Sequence, residues 1–109
     1  MSQYVKIVIT APLDNADAVR RAMGDAGAGA AGNYSYCSFS SRGVGRFLPE
    51  EGANPTIGSV GALESVEEER IEVLCERSKA RAVVEAALVV HVYEEPMWEV
   101  YPLLSLDEM

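Results

Sequence analysis

Leu63-Glu64-Ser65-Val66-Glu67-Glu68-Glu69-Arg70-Ile71-Glu72-Val73-Leu74-Cys75-Glu76 carries two periodicities at once. Leu63, Val66, Arg70, Val73 and Leu74 suit one face of a helix, whereas Arg70-Ile71-Glu72-Val73-Leu74 alternates with the two-residue period of a strand. Period alone does not separate the two readings. A strand over Val66–Cys75 is expected because nothing else in the chain offers a partner to lie beside the β-branched run Tyr4–Ala11.

With that choice made, the remaining elements fall into order. Tyr4–Ala11, closed by Pro12, is apolar almost throughout and reads as a central strand. Asp14 offers an N-cap, Asp17 suits a first turn, and Ala16, Val19, Ala22, Met23 and Ala26 recur at helical spacing before Gly27. The first helix is therefore expected over residues 15–26. Tyr34–Ser41 alternates Ser35, Cys37 and Phe39 against Tyr34, Tyr36 and Ser38, which predicts a second strand. Ala80, Val83, Val84, Ala87, Leu88 and His91 line one face of a second helix, and Trp98–Leu104 reads as a closing strand with Pro102 suited to an edge.

Between the second strand and the ambiguous stretch lie residues 42–62, with five glycines and two prolines. A hairpin-like arm is expected there, Val44–Leu48 and Thr56–Ser59 flanking the turn-rich residues 50–54. The order β-α-β-arm-β-α-β predicts one α+β domain over residues 1–109, a ferredoxin-like split-βαβ sandwich with an antiparallel sheet and both helices on one face. The uncovered face would carry Tyr, Val and Ile from the first strand, so a homo-oligomer is expected.

Composition bounds the function. The chain has 109 residues, 49% of them hydrophobic, and a formal charge of −8. Residues 1–49 hold five basic and three acidic groups, residues 50–109 four and fourteen. This excess of carboxylates argues against nucleic-acid partners. With no apolar stretch of signal or spanning length, a cytoplasmic protein without membrane contact is expected. Cys37 and Cys75 form no C-x-x-C pair and are expected as buried, inert thiols.

The chemical motifs are sparse. Gly27-Ala28-Gly29-Ala30-Ala31-Gly32 matches G-x-G-x-x-G, but it follows a helix and precedes a strand, so the negative helix end faces it and no nucleotide cofactor is supported. Arg77, Lys79 and Arg81 open the second helix, where an anion or Glu76 would balance them. His91, Glu94 and Glu95 are the candidate ligands for a divalent metal, with Glu67, Glu68, Glu69 and Glu72 nearby on another element. The alternative places a cationic His91 against the free carbonyls of the second helix. No nucleophile–base–orienter set is evident, so no catalytic residue is assigned.

Five blocks in series carry a family resemblance: Gly32–Phe39, Gly43–Pro49, Gly52–Gly58, Glu64–Glu72 and His91–Pro96. Together they resemble the CutA-like (PII-like) domain inserted in bacterial Nif-three-like proteins, here expected as a free-standing chain. The resemblance implies a ferredoxin-like fold, a trimer, and an arm where PII-type proteins carry a ligand-responsive loop. It also implies that the dinuclear metal centre of full-length relatives belongs to flanking halves and not to this domain. Val92 and Met97-Trp98 depart from the family's usual proline and small residue. The expected ligand-binding residues are Asn33, Tyr34, Ser38, Phe47, Asn54, Pro55, Glu69, Arg70, Glu72 and Tyr93, polar or turn-forming groups within these blocks. The function expected is a small regulatory or binding module holding a small ligand or divalent metal between subunits. The alternatives are a hydrolytic enzyme using His91, Glu94 and Glu95, or a structural accessory to another protein.

Overall fold

The computed structural model describes residues 3–109. Its elements are β1 (Tyr4–Pro12), α1 (Leu13–Asp25), β2 (Phe39–Phe47), β3 (Glu64–Glu76), α2 (Ala80–Val90) and β4 (Trp98–Pro102), with short 3₁₀ turns at Arg77–Lys79 and Leu106–Glu108. The sheet is antiparallel throughout in the order β2-β3-β1-β4. This is the ferredoxin-like split-βαβ arrangement, and the stretch that decides it is a strand, with Ile9 opposite Ile71 and Ile7 opposite Val73. Those four, with Val5, Ala11 and Cys75, bury against Ala16, Val19 and Met23 of α1 and Val83, Val84 and Ala87 of α2.

Alternation along the strands sorts the other face. Lys6, Val8 and Thr10 of β1, Glu68, Arg70 and Glu72 of β3, and Gly43, Gly45 and Phe47 of β2 share the side away from the helices. The open face is mixed: by register it carries Tyr4, Val8, Leu74, Phe39 and Tyr101 beside its charged groups, while the expected isoleucines lie on the helix side. Ile7 and Ile9 point to the helices, and Val8 lies buried on a face where Lys6 and Arg70 both pair with Glu72. Further exposed apolar bulk sits on Val89, Trp98, Val100, Leu104 and Leu106.

Glu72 supplies the pH-sensitive part of this network. Hydrogen bonds from Lys6 first, then Arg70, hold its carboxyl below the ordinary carboxylate value. A pKa lower in the folded than in the unfolded chain stabilises above the unfolded value, and the contribution fades as pH falls through the folded one. Urea midpoints measured from about pH 7 down to pH 2 should therefore fall less steeply for Glu72→Gln than for the parent.

Three local boundaries differ from the sequence reading, each for a physical reason. Helix α1 starts directly after Pro12, so Asp14 lies in its first turn and makes no side-chain cap. Strand β2 begins at Phe39 rather than Tyr34, because Tyr36 has φ 58° and the Cys37 N–H turns back to the Gly29 carbonyl at 3.0 Å. The glycine run is a structural turn: Gly29 donates its N–H to the Leu74 carbonyl at 2.7 Å, beyond the end of β2 on the same side of β3. Of the stretch 42–62, residues 42–47 belong to β2, and Val44–Phe47 pair with Glu64–Glu67 rather than with Thr56–Ser59. This end of the β2–β3 ladder runs past the last β1 pair at Glu68. The radius of gyration is accordingly 15.2 Å with a longest extent of 49 Å, against about 13 Å expected for a compact chain of this length.

Cys75 is buried and Cys37 exposed, so the expectation of two buried thiols holds for one only. The cations before α2 are partly balanced, Lys79 by Glu76 and Arg81 by Glu85. No helix among the described residues is long and apolar enough to cross a membrane.

The end of α2 is fastened by a residue from α1. Buried Asn15 donates its Nδ2 to the Val90 carbonyl and accepts the Val92 N–H on Oδ1, both at 3.1 Å. Asn15→Ala strands that carbonyl and that N–H in a part-buried setting, so we expect a loss of about 1–2 kcal/mol in chemical unfolding.

Candidate functional site

The segment after α2 organises the site through backbone partners. His91 is 8% exposed, and its ring leaves the helix end for β1, with Nε2 at 2.7 Å from the Thr10 carbonyl. Its Nδ1 accepts the Tyr93 N–H at 3.1 Å. The two contacts together specify the neutral ring with the proton on Nε2, since a carbonyl can only accept and an N–H can only donate. This geometry does not fit the expected cationic helix cap, and it occupies both ring nitrogens that the expected metal-ligand role would use. The helix carbonyl is met by Asn15, and both ring nitrogens are spent on the backbone.

Tyr93 ties the elements of the site together. Its ring meets His91 at 5.2 Å and Phe47 edge-on at 5.9 Å between centroids, joining α2's exit to β2. Its hydroxyl donates to Glu68 Oε2 at 2.7 Å. Burial, and next the hydrogen bond to Glu68, push the Tyr93 hydroxyl well above the usual phenol range. Glu68 is 7% exposed and has no ion-pair partner among the described residues. Gly45 makes room for it, since a Cβ there would stand 2.3 Å from Glu68 Oε1.

The loop between β2 and β3 folds back onto this segment. Thr56 donates its hydroxyl to the Val92 carbonyl at 2.6 Å, and the Asn54 N–H reaches the Glu94 carboxylate at 3.0 Å. Between loop, β2–β3 ladder and residues 93–97 lies an open groove of about 950 Å³, bordered by Phe47, Pro55, Glu68, Arg70, Tyr93 and Met97 among others.

Of the expected ligand residues, Phe47, Pro55, Arg70 and Tyr93 line the groove together with Glu94 and Glu95. Asn54 holds the loop through its backbone, and Glu72 stands beside the groove with Arg70 and Lys6. Glu69 points to the helix side, bound by Arg20 at 2.9 Å. Asn33, Tyr34 and Ser38 belong to the glycine turn and the approach to β2, away from the groove. Among the described residues no three His, Cys, Asp or Glu side chains are grouped as metal ligands. Sequence reasoning named Glu68 only as a further carboxylate beside the metal candidates and chose Glu69 from the same run as the ligand residue. The strand parity of Glu68, shared with Arg70 and Glu72, was the available signal.

No family model matches the chain. Curated relatives do: the chain is 50% identical over 103 residues to the "GTP cyclohydrolase 1 type 2 homolog" of Halalkalibacterium halodurans, covering 94% of this chain and 28% of that protein. The proteins of the same name in Bacillus subtilis and Mycobacterium tuberculosis are 45% and 49% identical, over 90% and 91% of this chain and 26% of theirs. A solved Bacillus cereus protein related to NIF3 superimposes with TM-score 0.80 at 48% identity, over 92% of this chain and 25% of that one. The chain has the CutA-like, PII-like fold and is similar to a domain-sized segment of NIF3-related proteins. CutA from Archaeoglobus fulgidus has the same fold at 21% identity, with TM-score 0.68 over 92% of this chain and 83% of its own. The domain thus spans about a quarter of the curated relatives' length.

Proposed function

We propose that this CutA-like domain is a homo-oligomeric binding or regulatory module, trimeric and cytoplasmic, that takes a small ligand in the groove beside its arm. The observation that carries this is the groove itself, walled by segments distant in sequence and fastened by Asn54–Glu94 and Thr56–Val92 contacts. Self-association rests on the apolar periphery, where Trp98 and Val100 of edge strand β4 stand exposed with Val89, Leu104 and Leu106. The activity in the relatives' name is proposed to belong to parts of those proteins outside this domain. In this domain both ring nitrogens of the one histidine meet backbone groups.

Sedimentation equilibrium should return a multiple of the 11.8 kDa chain mass, and Trp98→Glu should shift it toward the monomer. A protein-free small-molecule extract should raise the melting temperature of the parent, since a ligand of the folded state stabilises it by mass action. A monomer that no extract stabilises would overturn the reading.

A further inference from the structure

We propose that the groove recognises a small organic cation, its ammonium or amidinium group docked on the Glu68 carboxylate beside the rings of Phe47 and Tyr93. This rests on the groove being the ligand site and names the chemistry it takes. Glu68 is the most buried charge of the groove, yet no lysine or arginine among the described residues pairs with it. The nearest candidate on its own strand, Arg70, is bound to Glu72. Glu68 Oε2 is held by the Tyr93 hydroxyl, which fixes the carboxylate in place and leaves Oε1 free to accept from a ligand. A fixed, largely desolvated carboxylate binds a cation more strongly than one in water does. The groove border carries five carboxylates (Glu50, Glu51, Glu68, Glu94 and Glu95) against three guanidiniums, so its field also favours positive charge. Phe47 and Tyr93 supply aromatic surface for the carbon body and for cation–π attraction. A bare divalent ion fits less well, because among the described residues no second and third ligand converge on Glu68.

Gly43 provides a blocking variant. It lies opposite Glu68 in the β2–β3 register, and a Cβ there meets nothing within 4 Å. Gly43→Leu should fill the groove above Glu68 while leaving the fold intact. The test is a titration of ¹⁵N-labelled protein with benzylammonium, its neutral isostere benzyl alcohol, and inorganic phosphate, following the amides of Gly43, Gly45 and Tyr93. Benzylammonium should saturate these shifts, benzyl alcohol should bind about ten-fold more weakly, and Glu68→Gln and Gly43→Leu should each cost about ten-fold in affinity. Equal response to the alcohol, or unchanged affinity in both variants, overturns the proposal. Saturation by phosphate alone also overturns it, while leaving the binding-module reading in place.

Discussion

Gly29→Ala should cost about 3 kcal/mol or more in urea unfolding, enough to leave a domain of ordinary stability near its threshold. Two effects add. Gly29 has φ +80°, a left-handed conformation costing an L side chain about 1–2 kcal/mol. The new Cβ would also stand 2.3 Å from the Cys37 carbonyl oxygen and 2.6 Å from its nitrogen, and backbone cannot swing aside as a side chain can. Displacing it strains two hydrogen bonds, Cys37 N–H to Gly29 and Gly29 N–H to Leu74. Gly32→Ala is the internal control: φ is +58°, but nothing lies within 4 Å of the added carbon, so about 1 kcal/mol is expected. Equal losses at both positions would show that close approach at Gly29 contributes nothing.

His91→Ala should be nearly as damaging, about 3 kcal/mol, because it strips partners from two backbone groups on different elements, the Thr10 carbonyl and the Tyr93 N–H. The loss of the ring contact also frees Tyr93 to drift from Phe47. The ¹⁵N shifts of the parent His91 ring should report the Nε2–H tautomer and remain unmoved by added zinc. A ring that shifts on zinc binding, in a variant series where His91→Ala is as stable as the parent, would restore the metal-ligand role.

The architecture was legible because hydrophobic period is a local signal and the core depends on it. Ile7, Ile9, Ile71 and Val73 fall on one face by alternation alone, and Val83, Val84 and Ala87 by helical spacing. What period could not convey was which charges would pair on the open face once the strands were registered: Lys6 and Glu72 are 66 positions apart, and only the ladder brings them to 3.1 Å. The site was legible in the same proportion. Phe47, Arg70, Tyr93 and Glu94 were marked by their blocks and do border one groove, whereas Glu69 was lost to Arg20 on the opposite face by a single step of strand parity. His91 stood out as the chain's one histidine, but its acceptor and donor partners are backbone atoms, which leave no mark in a sequence of side chains. Tyr36 delays the start of the expected second strand through a positive φ that no residue type announces outside glycine and asparagine.

The central claim is that the arm groove is a built ligand site in an assembled protein. Native mass spectrometry of gently purified parent and Gly43→Leu tests it most directly, since subunit number and bound mass are read from the same ion. We expect the same oligomer for both, with extra mass on the parent and none on Gly43→Leu. A bare monomer, or the same extra mass on both proteins, would contradict it.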